Sequence, residues 1–358
     1  MIPLAKPYID DEDIKGVVDV LLSGRLSRGP KVKEFEKNFA EKIGTKYAIA
    51  VNSGTSALHL CLKSLGIGKG DEVITSPFSF IASANSILFE GAKPVFVDIE
   101  EDTYNMNPDL IEEKITKRTK AILPVHIFGQ SCKMDKIMQI AKKHKLYVIE
   151  DACESILAKY KGKNVGIFGD ASVFSFFPNK QITTGEGGII LTNNKEIAEL
   201  CRSYRNQGRD INSDWLEHVR IGYNYRMDEM SASLGVTQLK KINEIILKRR
   251  IVAREYINQL LWTEGIILPK EYVYNKHTWF VFVVRVKERD KVMKKLEAKG
   301  IPTRVYFPSI HKQIFYDKGE EFPVSEKVSK EALALPFYTA MTDEEIFKVC
   351  DALREAIR

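Results

Sequence analysis

The sequence predicts an α/β architecture, a large domain built on a mainly parallel sheet followed by a small α+β domain. Three observations carry that prediction. From about residue 45 to residue 192, short apolar runs alternate with amphipathic stretches of helical period. Around residues 228–261 runs a long helical pattern dense in charge, with Lys240, Lys241, Glu244, Lys248, Arg249, Arg250 and Arg254, and it reads as a bridge. Beyond it come strand-like and helix-like segments enough for a second, smaller unit. At 358 residues the chain exceeds one small domain, and the division is expected at 1–237 and 238–358.

In chain order, residues 47–51, 72–75, 94–97, 121–125, 146–150, 171–175 and 188–191 read as strands, each a short apolar run. Helical periods lie between most of them, including 55–65, 81–90 and 135–144. In the second unit, 278–286 and 301–306 read as strands, and 290–299 and 343–357 as helices. Ligands of such parallel sheets gather at the carboxyl ends of strands. The residues able to carry chemistry fall there.

Composition narrows the function classes. The net charge of +6 comes from 54 basic and 48 acidic residues spread through the chain, with no basic block of the kind that grips nucleic acid. Five scattered cysteines without a Cys-x-x-Cys pair argue against a disulfide framework or a zinc cage, and no His-Glu-x-x-His is present, so no metal is expected. With no apolar signal core and no run approaching the ~20 residues of a membrane span, the expectation is a soluble, cytoplasmic protein with no membrane partner.

Lys180, in Ser175-Phe176-Phe177-Pro178-Asn179-Lys180, follows the strand-end pair Glu150-Asp151 by a stretch holding one further strand. A lysine and an aspartate in that order suggest a pyridoxal phosphate site, the amine forming a Schiff base with the cofactor aldehyde and the carboxylate holding the pyridine nitrogen protonated. Taken alone, the Glu150-Asp151 pair reads sooner as a helix cap or a solvated end, and pairing with Lys180 reverses that. Ser53-Gly54-Thr55-Ser56 follows a strand and opens a helix, which makes either a phosphate cradle or a plain N-cap. Ser175 could add a hydroxyl to the same phosphate. Phe80 begins a helix after a strand, where a ring either stacks on a planar cofactor or joins the core. Gly185-Glu186-Gly187-Gly188 fits neither Gly-x-Gly-x-x-Gly nor the Walker pattern, which counts against nicotinamide and nucleoside-triphosphate chemistry. His126 and His277 read as structural, and His311 as the fairer substrate-site candidate.

Together these blocks resemble, over nearly the whole chain, the nucleotide-sugar aminotransferases of the DegT/DnrJ/StrS group. The matching motifs are Ser27-Arg28-Gly29-Pro30, Asn52-Ser53-Gly54-Thr55-Ser56-Ala57-Leu58, Pro124-Val125-His126-Ile127-Phe128-Gly129-Gln130, Glu150-Asp151-Ala152-Cys153-Glu154-Ser155, Ser175-Phe176-Phe177-x-x-Lys180, Gly185-Glu186-Gly187-Gly188 and Gly222-Tyr223-Asn224-Tyr225-Arg226-Met227. The resemblance implies the three-layer αβα fold of the aspartate-aminotransferase type and pyridoxal 5'-phosphate as cofactor. Lys180 would be the Schiff-base lysine and proton shuttle, Asp151 the pyridinium partner, and Phe80 the stacking ring. Ser53, Gly54, Thr55 and Ser175 would hold the phosphate, with Asn224 reaching in from the other subunit of a homodimer with shared sites. Glu154 stands where many members have Gln or His, so a contact with the cofactor's phenolic oxygen would require one of the two groups to be protonated.

Arg28, Phe177, Arg226, Tyr306 and His311 are the candidates for contact with a nucleotide-sugar substrate and an amino-acid donor, usually glutamate in the family. Lys180 itself separates the chain from the family's histidine-bearing dehydratases. The blocks His277-Thr278-Trp279-Phe280 and Arg304-Val305-Tyr306-Phe307-Pro308 resemble most the perosamine-synthase-like members that act at C4 of a 4-keto-6-deoxy sugar, although they depart from the commoner His-x-Tyr-His pattern. Two rival readings keep the fold: amination of a keto-cyclitol without a nucleotide, and a non-catalytic regulatory protein. The sugar, the nucleotide and C3 against C4 are left open by the sequence.

Overall fold

The structure, a computed structural model, describes residues 2–210 and 217–358. Its elements in chain order are α1 (Asp11–Ser23), α2 (Pro30–Ile43), β1 (Tyr47–Val51), α3 (Gly54–Ser64), β2 (Glu72–Thr75), α4 (Ala82–Phe89), β3 (Lys93–Phe96), β4 (Thr119–Leu123), α5 (Met134–His144), β5 (Tyr147–Asp151), β6 (Lys159–Tyr160), β7 (Lys163–Asn164), β8 (Ala171–Ser175) and β9 (Gly188–Thr192). They continue with α6 (Lys195–Arg205), α7 (Glu229–Lys240), α8 (Ile242–Leu260), β10 (Ile266–Ile267), β11 (Asn275–Lys276), β12 (Phe282–Val286), α9 (Arg289–Ala298), α10 (Pro323–Glu331), β13 (Ala332–Leu335) and α11 (Asp343–Ile357).

The main sheet has the strand order β1-β9-β8-β5-β4-β2-β3. Six of its seven strands run in one direction, and β9 runs against them, pairing antiparallel with β1 and β8. Alternation along the strands feeds two separate apolar layers. Ile49, Val51 and Ile190 face one cluster with α3 and α6, while Ala48, Ala50, Ile189 and Leu191 face another with α2, α7 and α8. Helices therefore cover both faces, as the near-continuous apolar runs of a parallel sheet require.

A second, antiparallel sheet, β10-β12-β13, packs with α9 and α11 around Tyr256, Phe282, Leu296 and Leu353. Its other side joins the main core through Phe280, Val283, Ala332 and Ala334. The chain's start is sewn into this second cluster: Ile2 is buried there, and the Phe337 N–H donates to the Leu4 carbonyl at 2.9 Å. A third small sheet, β11-β6-β7, lies to one side.

Three departures from the sequence reading have local causes. Residues 301–306 form no strand: their one bridge is Arg304 with Ala334, and Pro302 offers no N–H for a ladder. The strand beside β12 is instead β13, four buried residues directly after a helix. The pattern over 228–261 is two helices, broken where Lys241 takes φ −100° and ψ 9°. Among the described residues, no helix is long and apolar enough to cross a membrane.

Candidate active site

The carboxyl ends of β1, β5 and β8 open into a cavity of about 680 Å³. Ser53, Gly54, Thr55, Phe80, Asp151, Glu154, Ser175, Phe177, Lys180 and Tyr306 all line it, so ten of the residues singled out from sequence meet in one place. The opposite wall, from Phe280, Val305, Phe307, Pro308, Ile310 and Gln313, is contributed by the C-terminal part of the chain.

Asp151 ends β5 and is almost fully buried. Its backbone is clamped by the neighbouring strand end, its N–H donating to the Pro124 carbonyl and its carbonyl accepting from His126, both at 2.9 Å. One carboxylate oxygen accepts from the Ser83 hydroxyl at 2.7 Å, and the other from the Cys153 N–H at 3.2 Å. Ser79 lies 2.9 Å from Ser83 and extends the chain of hydroxyls. Beneath this, Glu150 turns to the other face, where it accepts from Gly166, Phe168 and Gly169 and meets His126 at 3.0 Å, both side chains at zero exposure. The adjacent carboxylates thus divide their tasks, Glu150 anchoring a loop and Asp151 facing the cavity.

The Lys180 amine lies 3.7 Å from Glu154 Oε1 and 3.9 Å over the ring of Phe280. Glu154 Oε2 accepts from the Phe128 N–H at 2.8 Å. Burial raises the pKa of Glu154, against the opposing pull of Lys180 and of that N–H.

Ser53 caps α3, accepting from the Ser56 N–H at 3.0 Å, and leaves the first N–H groups of the helix, at Gly54 and Thr55, toward the cavity. The cradle has no room for a side chain. A Cβ on Gly54 would sit 3.0 Å from Ser175 Cβ and 3.1 Å from Cys153 Sγ, and one on Gly188 would strike the Ser53 carbonyl. Helix N–H groups, two hydroxyls and a glycine suit a phosphate, while Asp151 suits a protonated ring nitrogen and Lys180 an aldehyde. The residues present therefore fit pyridoxal phosphate. Phe80, 58% exposed at the rim, supplies an aromatic surface beside Phe307.

Other candidates lie elsewhere. His311 is buried and does not line the cavity of this chain; it lies 3.0 Å from Glu326 and edge-on to Phe322, and so braces α10. Arg28, Arg226 and Asn224 do not line the cavity of this chain. Arg226 donates to Asn206 at 3.0 Å, and Asn224 is exposed on a strand-like turn bridged to Asn206. His277 is structural as read: it stacks on Trp279 at 3.8 Å, and burial lowers its pKa to about 3.

Sequence reasoning did not find Ser79, Ser83, Phe128, Asn179, Glu186 or Phe280. The spacing of Ser79 and Ser83, four apart just after β2, was the available signal for that pair.

Comparison with known proteins accords with this geometry. The chain matches the DegT/DnrJ/EryC1/StrS aminotransferase family over residues 7–354. It is 39% identical to the spore coat polysaccharide biosynthesis protein SpsC of Bacillus subtilis, over 100% of this chain and 97% of that one. It is also 39% identical to the GDP-perosamine synthase of Escherichia coli O157:H7 (99% and 98% covered). The UDP-2-acetamido-2-deoxy-3-oxo-D-glucuronate aminotransferase of Pseudomonas aeruginosa is 38% identical, with 96% of each chain covered. Among solved structures, S. venezuelae DesV in complex with a ketimine intermediate superposes with a TM-score of 0.93 at 35% identity, covering 99% of both chains. The sugar aminotransferase Spr1654 of Streptococcus pneumoniae in its PLP form, described as putative, superposes at 0.94 with 27% identity, covering 99% of this chain and 98% of that one. With the lysine, the aspartate and the phosphate cradle meeting in one cavity, the chain belongs to the DegT/DnrJ/EryC1/StrS aminotransferase family and is a pyridoxal-phosphate-dependent aminotransferase.

Proposed function

We propose that this protein moves an amino group from an amino acid, glutamate by preference, to the C4 ketone of a nucleotide-linked 4-keto-6-deoxy sugar for surface polysaccharide or glycan synthesis. The observation that carries the reading is the convergence of Lys180, Asp151 and the Ser53–Thr55 cradle on one cavity, with further room beside Phe177, Tyr306 and Gln313 for a sugar. Pyridoxal phosphate, when bound, supplies the aldehyde that carries the amino group and a ring that accepts electrons. Asp151, oriented by Ser83, keeps a proton on the ring nitrogen. Ser53, Gly54, Thr55 and Ser175 would hold the phosphate, and Phe80 would cover the ring face. Lys180 takes the proton from the donor α-carbon and delivers one to the sugar carbon. Glu154 faces the lysine at 3.7 Å, and a contact with the phenolic oxygen would need one of the two groups protonated.

The relatives support the substrate class, since one is named for perosamine linked to GDP and another for a 3-oxo sugar linked to UDP. We read the working unit as a cytoplasmic homodimer in which Asn224 of each protomer completes the other's phosphate site, with Arg28 and Arg226 offered to the substrate. The division into 1–237 and 238–358 belongs to the same reading, because the cavity is walled by residues from both parts.

The test is spectroscopic. Purified protein loaded with cofactor should absorb in the near-visible, bleach on addition of glutamate and recover with a 4-keto-6-deoxy sugar nucleotide, the product's ring position being read by NMR. Turnover of a free keto-cyclitol in preference to any nucleotide sugar, or full activity of Lys180→Ala, would sink the reading.

A further inference from the structure

The lysine rests on a wall built by the far end of the chain. We propose that the ring of Phe280 is a catalytic contact of Lys180, seating its amine nitrogen whenever that nitrogen is not bonded elsewhere, and that Arg249 is the positioning residue that holds the ring there. The inference rests on the reading of Lys180 as the proton-carrying group.

Among the described residues, Glu154 and Phe280 stand against the amine. The Glu154 oxygen, at 3.7 Å, is beyond hydrogen-bond length, whereas the nitrogen lies squarely over the Phe280 face at 3.9 Å. Burial also favours the uncharged form of Glu154, which weakens it as an ion partner. The two stand at nearly equal distance, and the ring, met face-on, is the better seat for a charged nitrogen.

That seat is fixed from both sides. The Phe280 N–H donates to the Phe128 carbonyl at 2.9 Å, and the Phe128 N–H in turn donates to Glu154, so ring and carboxyl hang on one ladder. From the other side, Arg249 Nη2 donates to the Phe280 carbonyl at 2.7 Å and Nε to the Trp279 carbonyl at 2.8 Å. Trp279 has φ 50°, a left-handed backbone that bulky residues avoid unless held. Arg249 is 2% exposed, and its remaining contacts are the Thr339 hydroxyl at 3.4 Å and the Phe337 ring at 4.8 Å. No carboxylate pairs with it among the described residues. Burial lowers its pKa to about 9. A charge kept inside at such cost, spent on the two carbonyls that set one ring, has positioning as its evident use.

The chemistry gives the ring its role. When the donor's α C–H bond breaks, the proton forms a new N–H bond on Lys180 and the electron pair passes to the bound cofactor. An ammonium thereby develops over the negative face of the ring, which favours the ammonium over the amine. The contact grows stronger as the proton moves.

The test replaces Phe280 in the cofactor-loaded enzyme by phenylalanines carrying one, two and three fluorines, which drain the ring face while keeping its shape. The rate of bleaching by glutamate should fall stepwise, by about tenfold across the series, with the isotope effect from α-deuterated glutamate rising in step. A flat series, or a rising rate, overturns the proposal. Arg249→Met should slow the same step and Arg249→Lys should partly restore it; equal behaviour of the two variants also counts against it. Independently of turnover, the Lys180 side-chain methylene signals in the amine form of the enzyme, assigned by their loss in Lys180→Arg, should show an upfield ring-current shift that disappears in Phe280→Leu; its absence in the parent protein would refute the contact. If Lys180→Ala keeps its activity, the reading of the lysine has failed; if that variant is dead and the fluorine series is flat, only the role of the ring has.

Discussion

The carboxylates of this site do different work because of what surrounds each. Asp151 accepts from a hydroxyl and an N–H while facing the cavity, and with Asp151 as the proposed partner of the ring nitrogen, Asp151→Asn should cut kcat by about 10²- to 10³-fold. Ser83→Ala leaves the carboxylate but removes its orienting donor, and cofactor affinity should drop roughly tenfold in equilibrium dialysis. Glu154 behaves oppositely. Its pKa is raised by burial, so the folded state holds its proton more tightly than the unfolded chain does, and stability falls as pH rises from the ordinary carboxylate range through the raised value. Glu154→Gln should therefore melt higher than the parent at neutral pH, with the difference vanishing in acid. Lys180, Asp151 and the Ser53 cradle were legible in the sequence because their chemistry is local: a residue type at the end of a strand or the start of a helix. Ser83, Phe128 and Phe280 were not, because each becomes a site residue only when a distant segment folds against it. His311 misled for the same reason, since its basic, aromatic surroundings say nothing of Glu326, fifteen residues on.

At the scale of elements, strand position in the main sheet was readable to within about two residues, because a strand buried on both faces must be apolar throughout. The second sheet was harder. Apolar residues at 301–306 pack without pairing, while β13 is too short and too close to α10 to announce itself. Two glycines make the packing of elements testable. On α7, Gly235→Ala gains helix propensity, but its Cβ would lie 2.8 Å from the buried ring of Phe35, and the clash should prevail, with a net loss of about 1–2 kcal/mol in urea unfolding. Gly188→Ala, which pushes on the backbone of Ser53 and Gly54, should spare the fold yet weaken cofactor binding by at least about tenfold, since the cradle has to move.

At the scale of the whole molecule, the proposed homodimer can be tested. If Asn224 completes the neighbouring protomer's site, then Lys180→Ala and Asn224→Ala, each inactive alone, should restore roughly a quarter of normal activity when co-expressed, because half the dimers are mixed and each of those holds one intact site. Activity no higher than that of the separate variants would mean that each protomer works with its own residues. The exposed apolar positions of α1, Ile14, Val18, Leu21 and Leu22, fall at helical spacing and offer a surface for such pairing. Both the phosphate cradle and the lysine also depend on one connection. Because β9 runs backward through the sheet, residues 176–187 leave β8 carrying Lys180 and return to press Gly188 against Ser53. Its length is therefore a fixed ruler between Lys180 and the Ser53 turn, the residues that would hold the two ends of the cofactor. Lengthening that segment by a single residue would disturb both ends at once, whereas the edge loops of the second sheet can lengthen without touching either.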